Sequence, residues 1–242
     1  MTSFVLVHGS WLGGWCWNRV APLLRAAGHD VIAPTLTGLG ERSHLGGRTI
    51  DLSLHIRDVL SVLEYEELKE VTLVGHSYAG MVVTGVADAV PDRVSQLIYV
   101  DAVVPKKDLA VVDLIPASMA AQLRQAAEEH GSGLCFPPAP PEALGISAGE
   151  DVEWVTRRSV PMPLLTHEQP IRLTGAHAKV RHRAYIYCNR PAIGGLESTA
   201  EAARSAGWDY FELATGHDPM VTKPRELVDI LLRCSARLPS CS

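Results

Sequence analysis

The sequence predicts an α/β fold: a mostly parallel sheet of about six strands flanked by helices, with a helical cap inserted after the fourth strand. Three observations carry that prediction. Short apolar runs of strand length alternate with stretches whose apolar residues recur at helical spacing, and such alternation gives parallel strands with helices on both faces. The alternation breaks at about residue 102 and resumes near residue 184. The 242 residues are 47% hydrophobic and 20% charged, a globular balance in a chain long enough for one large core carrying an insert. Residues 1–101 and 184–242 are therefore assigned to the core, and 102–183 to the cap or lid.

The elements follow in order. Phe4-Val5-Leu6-Val7 is a compact buried strand. Val20, Leu23, Leu24 and Ala27 recur at helical spacing, and Gly28 ends that helix. Residues 30–33 form the second strand, stopped by Pro34, and a loop rich in Gly and Thr covers 35–47. Ile56, Val59, Leu60 and Leu63 mark an amphipathic helix. Val71-Thr72-Leu73-Val74 is the third strand, a small-residue helix covers about 79–89, and the fourth strand, 97–100, ends at Asp101. In the insert, Pro116 opens a helix and Gly131 closes it. Phe136-Pro137-Pro138-Ala139-Pro140-Pro141 must be a turn or extended segment, and Trp154 and Val155 belong to another short helical piece. The alternation then returns with a strand over 184–188, a helix over 197–206, a strand over 210–213 and a last helix over 224–233. An insert after the fourth strand sits over the carboxyl ends of the strands, where open α/β sheets bind ligands.

Composition narrows the partners. The net charge of -5 with neutral histidines supplies no basic face for nucleic acid. No stretch approaches the roughly 20 apolar residues of a membrane helix, and Met1-Thr2-Ser3 runs into the first strand without a charged leader. Cys16, Cys135, Cys188, Cys234 and Cys241 are odd in number and scattered, with no C-x-x-C pair, so neither a disulfide framework nor a zinc site is indicated. The expectation is a cytoplasmic, reduced protein, alone or as a homodimer, whose partner is a small molecule rather than nucleic acid or a membrane.

The segment Val71-Thr72-Leu73-Val74-Gly75-His76-Ser77-Tyr78-Ala79-Gly80 carries the chemistry. A strand runs into a Ser between small residues and a helix follows, the pattern of a nucleophile elbow, whose strained turn tolerates only small neighbours. The usual pattern is G-x-S-x-G. Here Ala79 takes the last place with Gly80 one further on, and alanine is still small. An ordinary Gly-rich turn with a solvated Ser is the plain alternative, and the strand before and helix after favour a nucleophile.

A Ser hydroxyl needs a base. In chain order Ser, acid, His, the base lies in a loop after the last strand, and Gly216-His217-Asp218-Pro219-Met220 places His217 there. His29, His44, His55, His130, His167, His177 and His182 read as solvated loop or helix-surface groups, His76 as the variable position of the elbow, and His8 as structural. No histidine pair has metal spacing, so no metal and no cofactor are expected. Acyl transfer also needs donors for the oxyanion. The N–H of Tyr78, after the nucleophile, is one. The other is assigned to Ser10 in the loop His8-Gly9-Ser10-Trp11-Leu12-Gly13-Gly14, with Trp11 as the near alternative. Trp11, Trp154 and Leu164, with Trp15, Met119 and Leu165, are candidates for pocket or lid lining, plain core packing being the alternative.

These residues resemble the esterase and hydroxynitrile lyase branch of the α/β-hydrolase superfamily, over residues 4–104 and 184–232. The likeness rests on Phe4-Val5-Leu6-Val7-His8-Gly9, Gly28-His29-Asp30-Val31, the elbow, and Gly216-His217-Asp218-Pro219-Met220. Leu36-Thr37-Gly38-Leu39-Gly40-Glu41-Arg42-Ser43-His44 is similar to bacterial esterases of this branch, which is related to plant methylesterases. Hydroxynitrile lyases of the branch carry a Thr after the first-strand His and a Lys after the catalytic His. Gly9 and Asp218 stand here instead, so cyanogenic lyase activity is not expected. The family also places an Asp after the next-to-last strand, where Ile186-Tyr187-Cys188-Asn189-Arg190-Pro191 has no carboxylate. Asp101, at the end of the strand expected beside the elbow strand, is nominated as the acid in its place. Asn189 is the runner-up, and a capping role at the start of the insert is the plain alternative for Asp101. Asp218 is expected to point elsewhere.

The resemblance and the residues together imply a serine hydrolase that cleaves a small to medium apolar ester or lactone. A non-hydrolytic lyase or cyclase, or a ligand-binding member of the same fold, is the alternative.

Overall fold

In a computed structural model of the chain, which describes residues 2–47 and 49–237, all six expected sheet strands form. They are β1 (Ser3–Val7), β2 (Asp30–Ile32), β3 (Val71–His76), β4 (Val94–Val100) and, beyond the insert, two more. The helices α1 (Ala21–Ala26), α2 (Leu52–Tyr65) and α3 (Ala79–Ala89) connect the first four strands. The insert carries α4 (Ala117–Gly131), β5 (Cys135–Phe136), α5 (Gly149–Thr156), β6 (Met162–Pro163) and α6 (Leu165–Glu168). The core resumes with β7 (His182–Cys188), α7 (Glu197–Ser205), β8 (Asp209–Leu213), α8 (Pro219–Thr222) and α9 (Pro224–Ser235). Cys241, one of the five cysteines, lies outside the described residues. The other four are free thiols.

The sheet order is β2-β1-β3-β4-β7-β8, with every pairing parallel. Successive side chains point to opposite faces of a strand, and both faces here are covered. Val5, Val7, Leu73, Leu97 and Tyr99 pack with α2 and α3 in one apolar cluster. Phe4, Leu6, Val74, Ile98 and Val100 pack with α1 and α9 in the other. Burial on both faces is why these strands read as continuous apolar runs rather than as alternating ones. Among the described residues no helix is long and apolar enough to cross a membrane.

Some details differ from expectation, among them the start of β4 at Val94 rather than at residue 97. The loop after β2 contains a 3-10 helix, Gly40–Leu45. β7 begins at His182 rather than at residue 184. Of the proline-rich stretch, Phe136 closes the short strand β5, which pairs antiparallel with β6, and Pro141 opens a 3-10 turn, Pro141–Leu144.

The insert is tied down at both ends of α3. At the far end, the buried Asp88 carboxylate accepts hydrogen bonds from the Thr174 N–H and hydroxyl, the Gly175 and His177 N–H groups, and His177 Nδ1. These donors hold its pKa below the ordinary range against the opposing cost of burial. At the near end, a Cβ on Gly80 would stand 1.9 Å from the Val103 carbonyl oxygen. The first turn of α3 can meet the start of the insert only through a residue without a side chain. Gly80→Ala is therefore expected to force this backbone apart and to lower the melting temperature by about 4 °C or more, read by circular dichroism. A melting temperature within about 1 °C of the parent would contradict this packing.

Candidate active site

The parallel register sets three chain segments side by side. His76 of β3 pairs with Val100 of β4, so the residues that follow, Ser77 and Asp101, emerge together at the carboxyl ends of neighbouring strands. Val100 pairs with Ile186 of β7, which brings Asp101 level with the end of β7. A carboxylate that follows β4 thus stands beside the end of β7.

Ser77 has φ of 55° and Asp101 has φ of 43°. Both are left-handed, a region uncommon for residues other than glycine and better tolerated by Asp than by most. The turn at Ser77 is confined by its neighbours. A Cβ on Gly75 would stand 2.7 Å from Val83 and 2.8 Å from the Ala79 carbonyl, and one on Gly9 would stand 2.8 Å from the Ser77 Cβ. Ala79 is fully buried as the first residue of α3, so its methyl group fits where the usual pattern has glycine.

His217 follows β8 and joins the other two. Its Nδ1 lies 2.7 Å from Asp101 Oδ2, and its Nε2 lies 2.8 Å from Ser77 Oγ. A carboxylate only accepts, so Nδ1 carries the proton and Nε2 presents its lone pair to the Ser77 hydroxyl. The second oxygen of Asp101 accepts the Cys188 N–H at 3.1 Å. Its backbone-capping partner is thus β7, not the insert. Burial alone would pull the His217 pKa down, but the hydrogen bond and charge of Asp101, aided by the charge of Asp218, outweigh it and raise the pKa above 6.5. Asn189 takes no part: its Nδ2 donates to Glu212 at 3.0 Å, and its Oδ1 has no hydrogen-bond partner.

The loop after β1 carries Ser10 and Trp11, the latter with φ of 65°. Among the described residues, no acceptor takes the backbone N–H of Ser10 or of Tyr78. Trp11 and Leu164 belong to the same apolar cluster as Tyr78. Trp154 packs against the other cluster. There its ring meets Trp15 edge-on at 5.0 Å, with the Arg19 and Arg158 guanidinium groups over it.

Several histidines expected at the surface are not there. His44, His130 and His182 are exposed, but His55 and His167 are buried. The ring of His55 donates from Nε2 to the Thr37 carbonyl and accepts the Tyr78 hydroxyl at Nδ1. His76, which fills the variable position of the elbow, donates from Nε2 to the His217 carbonyl at 2.9 Å and lies 4.7 Å ring to ring from His217. It braces the loop that carries His217. His8 accepts the Leu36 N–H and holds its own loop. These contacts join residues far apart in sequence; helical spacing with Leu52, Val59 and Leu63 places His55 on the buried face of α2, but no local pattern names its partners.

The profile of the alpha/beta hydrolase family matches residues 4–230. A carbendazim hydrolyzing esterase of Nocardioides sp. (strain SG-4G) is 41% identical over 240 residues, covering 96% of this chain and 98% of that protein. The polyneuridine aldehyde esterase of Rauvolfia serpentina is 26% identical over 257 residues, covering 96% of this chain and 95% of that enzyme. An extracellular alpha/beta-hydrolase of a Paenibacillus species has a TM-score of 0.87 at 22% identity, over 97% of this chain and 99% of its own, a likeness of fold.

Asp218 is the anomaly of the site. It is buried, and neither carboxylate oxygen has a hydrogen-bond partner. Its 3.5 Å approach to His76 is no ion pair, because burial and the neighbouring His217 hold His76 neutral. Burial pushes the Asp218 pKa from 3.8 up to about 6. The protonated acid therefore contributes stability that is complete below pH 3.8 and is lost as pH rises through about 6. Asp218→Asn is expected to raise the melting temperature by about 4 °C or more at pH 8, with the gain vanishing by about pH 4. A gain independent of pH, or a loss at pH 8, would contradict the buried charge.

Proposed function

Since this chain belongs to the alpha/beta hydrolase family and its full-length relatives include named esterases, we propose that it is a serine carboxylesterase. The expected substrate is a small to medium apolar ester or lactone, cleaved through an acyl-enzyme. The unbroken hydrogen-bonded series Asp101–His217–Ser77 supports this reading most.

Ser77 Oγ attacks the acyl carbon as His217 Nε2 takes its proton. The imidazolium that forms is stabilised by its Nδ1–H hydrogen bond to Asp101. The backbone N–H groups of Ser10 and Tyr78 hold the oxyanion, where preorganised donors act most strongly on charge that develops in the transition state. The intermediate collapses, and His217 returns the proton to the leaving alcohol. Water then gives its proton to His217 and attacks the acyl carbon, releasing the acid and restoring the Ser77 hydroxyl. Trp11 and Leu164, beside Tyr78, are the better candidates for the acyl pocket; Trp154 reads as packing. Residues 102–183 act as the cap. A reduced, cytoplasmic setting belongs to this reading.

The substrate range is read with p-nitrophenyl esters of increasing acyl length, and with carbendazim as a probe taken from the Nocardioides relative. Ser77→Ala and Asp101→Asn are each expected to lower kcat by about 10⁴-fold or more, with Asn189→Ala close to the parent. The parent kcat/KM should rise with pH through one ionisation above 6.5, because Asp101 raises the His217 pKa. In Asp101→Asn the residual activity should titrate at lower pH. Near-parental turnover in Ser77→Ala would remove Ser77 from the role. A severe loss confined to Asn189→Ala would move the acid's part to Asn189.

A further inference from the structure

His167, in α6 of the insert, is a buried histidine that the reaction above does not use. Its ring stacks on the ring of Tyr78, with centroids 4.9 Å apart and planes 13° from parallel. The edge of Phe136 closes a further side at 5.0 Å. Its Nδ1 lies 2.9 Å from Thr166 Oγ1 and its Nε2 lies 3.1 Å from Ser10 Oγ.

The direction of each bond follows from counting protons. The Thr166 hydroxyl has one proton, which goes to the Pro163 carbonyl at 2.6 Å. Its oxygen must therefore accept from His167 Nδ1–H. A neutral ring then has its lone pair at Nε2, so Ser10 Oγ–H donates to it. Burial keeps the ring neutral, pushing its pKa from 6.5 to about 3.

Ser10 and Tyr78 are the two residues assigned to the oxyanion. They come from the ends of different strands, and the ring of His167 touches both, by a hydrogen bond to one and a stack on the other. The hydroxyl of Ser10 is engaged by this bond, and its backbone N–H has no acceptor among the described residues. A second tie holds the same loop to the insert, from Val160 N–H to the Trp11 carbonyl at 3.0 Å.

We propose that His167 is a positioning residue of the oxyanion hole, through which the inserted segment completes the active centre. The proposal rests on the serine-esterase reading and adds to it that the hole is not finished by the core alone.

The test compares His167→Ala, His167→Gln, Ser10→Ala and the double variant Ser10→Ala/His167→Ala, with p-nitrophenyl acetate as substrate. Misplaced donors should lower kcat at constant KM, since the oxyanion exists only after attack. His167→Ala is expected to lose about 10- to 100-fold in kcat, less than the loss of a donor outright. A Gln amide oxygen can accept from Ser10, so His167→Gln should recover kcat to within about threefold of the parent. Ser10→Ala should lose about tenfold, and the double variant should be no worse than His167→Ala, because both changes break one bond.

A folded His167→Ala with parental kcat, or single losses that multiply in the double variant, would overturn the proposal. Should His167→Ala fail to fold, Ser10→Ala decides: an unchanged kcat overturns the role, and a loss at constant KM supports it. Ser77→Ala, run in parallel, separates the two ideas. Turnover that survives it overturns the esterase reading and this role with it. Turnover lost there but unmoved in the His167 and Ser10 variants overturns the positioning role alone.

Discussion

Two backbone hydrogen bonds hold the turn after β3 against the chain that leaves β4, and the candidate active site depends on them. Ser77 N–H donates to the Val100 carbonyl at 3.2 Å, and the Ser77 carbonyl accepts the Val103 N–H at 3.1 Å. A third, from Asp101 N–H to the Ile186 carbonyl at 2.7 Å, ties the next position to β7. Ser77 and Asp101 are both left-handed, at a cost of about 1–3 kcal/mol each for such residues. Left alone, each turn would relax and carry its side chain away from His217. Pinned between neighbouring parallel strands, they cannot. The strain is thus balanced by the sheet, and the sheet is stabilised by burial on both faces.

The same logic extends to the insert, which is bound to each loop that presents a site residue. Leu144 accepts the His217 N–H at 2.9 Å, and a Cβ on Gly216 would stand 2.4 Å from that same carbonyl oxygen. Val160 holds the loop of Trp11, and His167 meets Ser10 and Tyr78. Asp88 secures the insert's far end on α3 through five bonds to one carboxylate. Charge in this region is arranged around one histidine. His8, His76 and His167 are kept neutral by burial, whereas His217, with Asp101 on its ring, is driven the other way. Burial acts on each of these rings, and the one hydrogen-bonded to a carboxylate is the one whose cation is stabilised.

Much of this was legible in the sequence, for identifiable reasons. The sheet strands are buried on both faces and so are plain apolar runs. Ser77 and His217 lie in local patterns whose small residues and strand ends announce themselves. Asp101 could be reached by one further step, since a strand that pairs with the elbow strand must end beside it. The buried histidines are less uniform. His55 shares the apolar stripe of α2 with Leu52, Val59 and Leu63, so helical spacing does signal its burial. His167 sits in a short stretch that looks like any solvated surface, and only the docking of the insert removes it from water. Trp154 is ambiguous for the converse reason: an aromatic residue in the insert fits a pocket or a core, and its partner Trp15 lies 139 positions away in sequence. Asp218 was expected to point away from the site, and it makes no hydrogen bond to His217. Its burial without any partner depends on side chains from several elements closing over it.

If Ser77 is a nucleophile activated through His217 and Asp101, an electrophilic phosphonate should label it covalently. The protein would be treated with a fluorophosphonate and analysed by intact mass and by peptide mapping. One adduct per chain is expected, located on Ser77 and abolished in Ser77→Ala. Absence of an adduct in the folded parent, or an adduct on another residue, would contradict it.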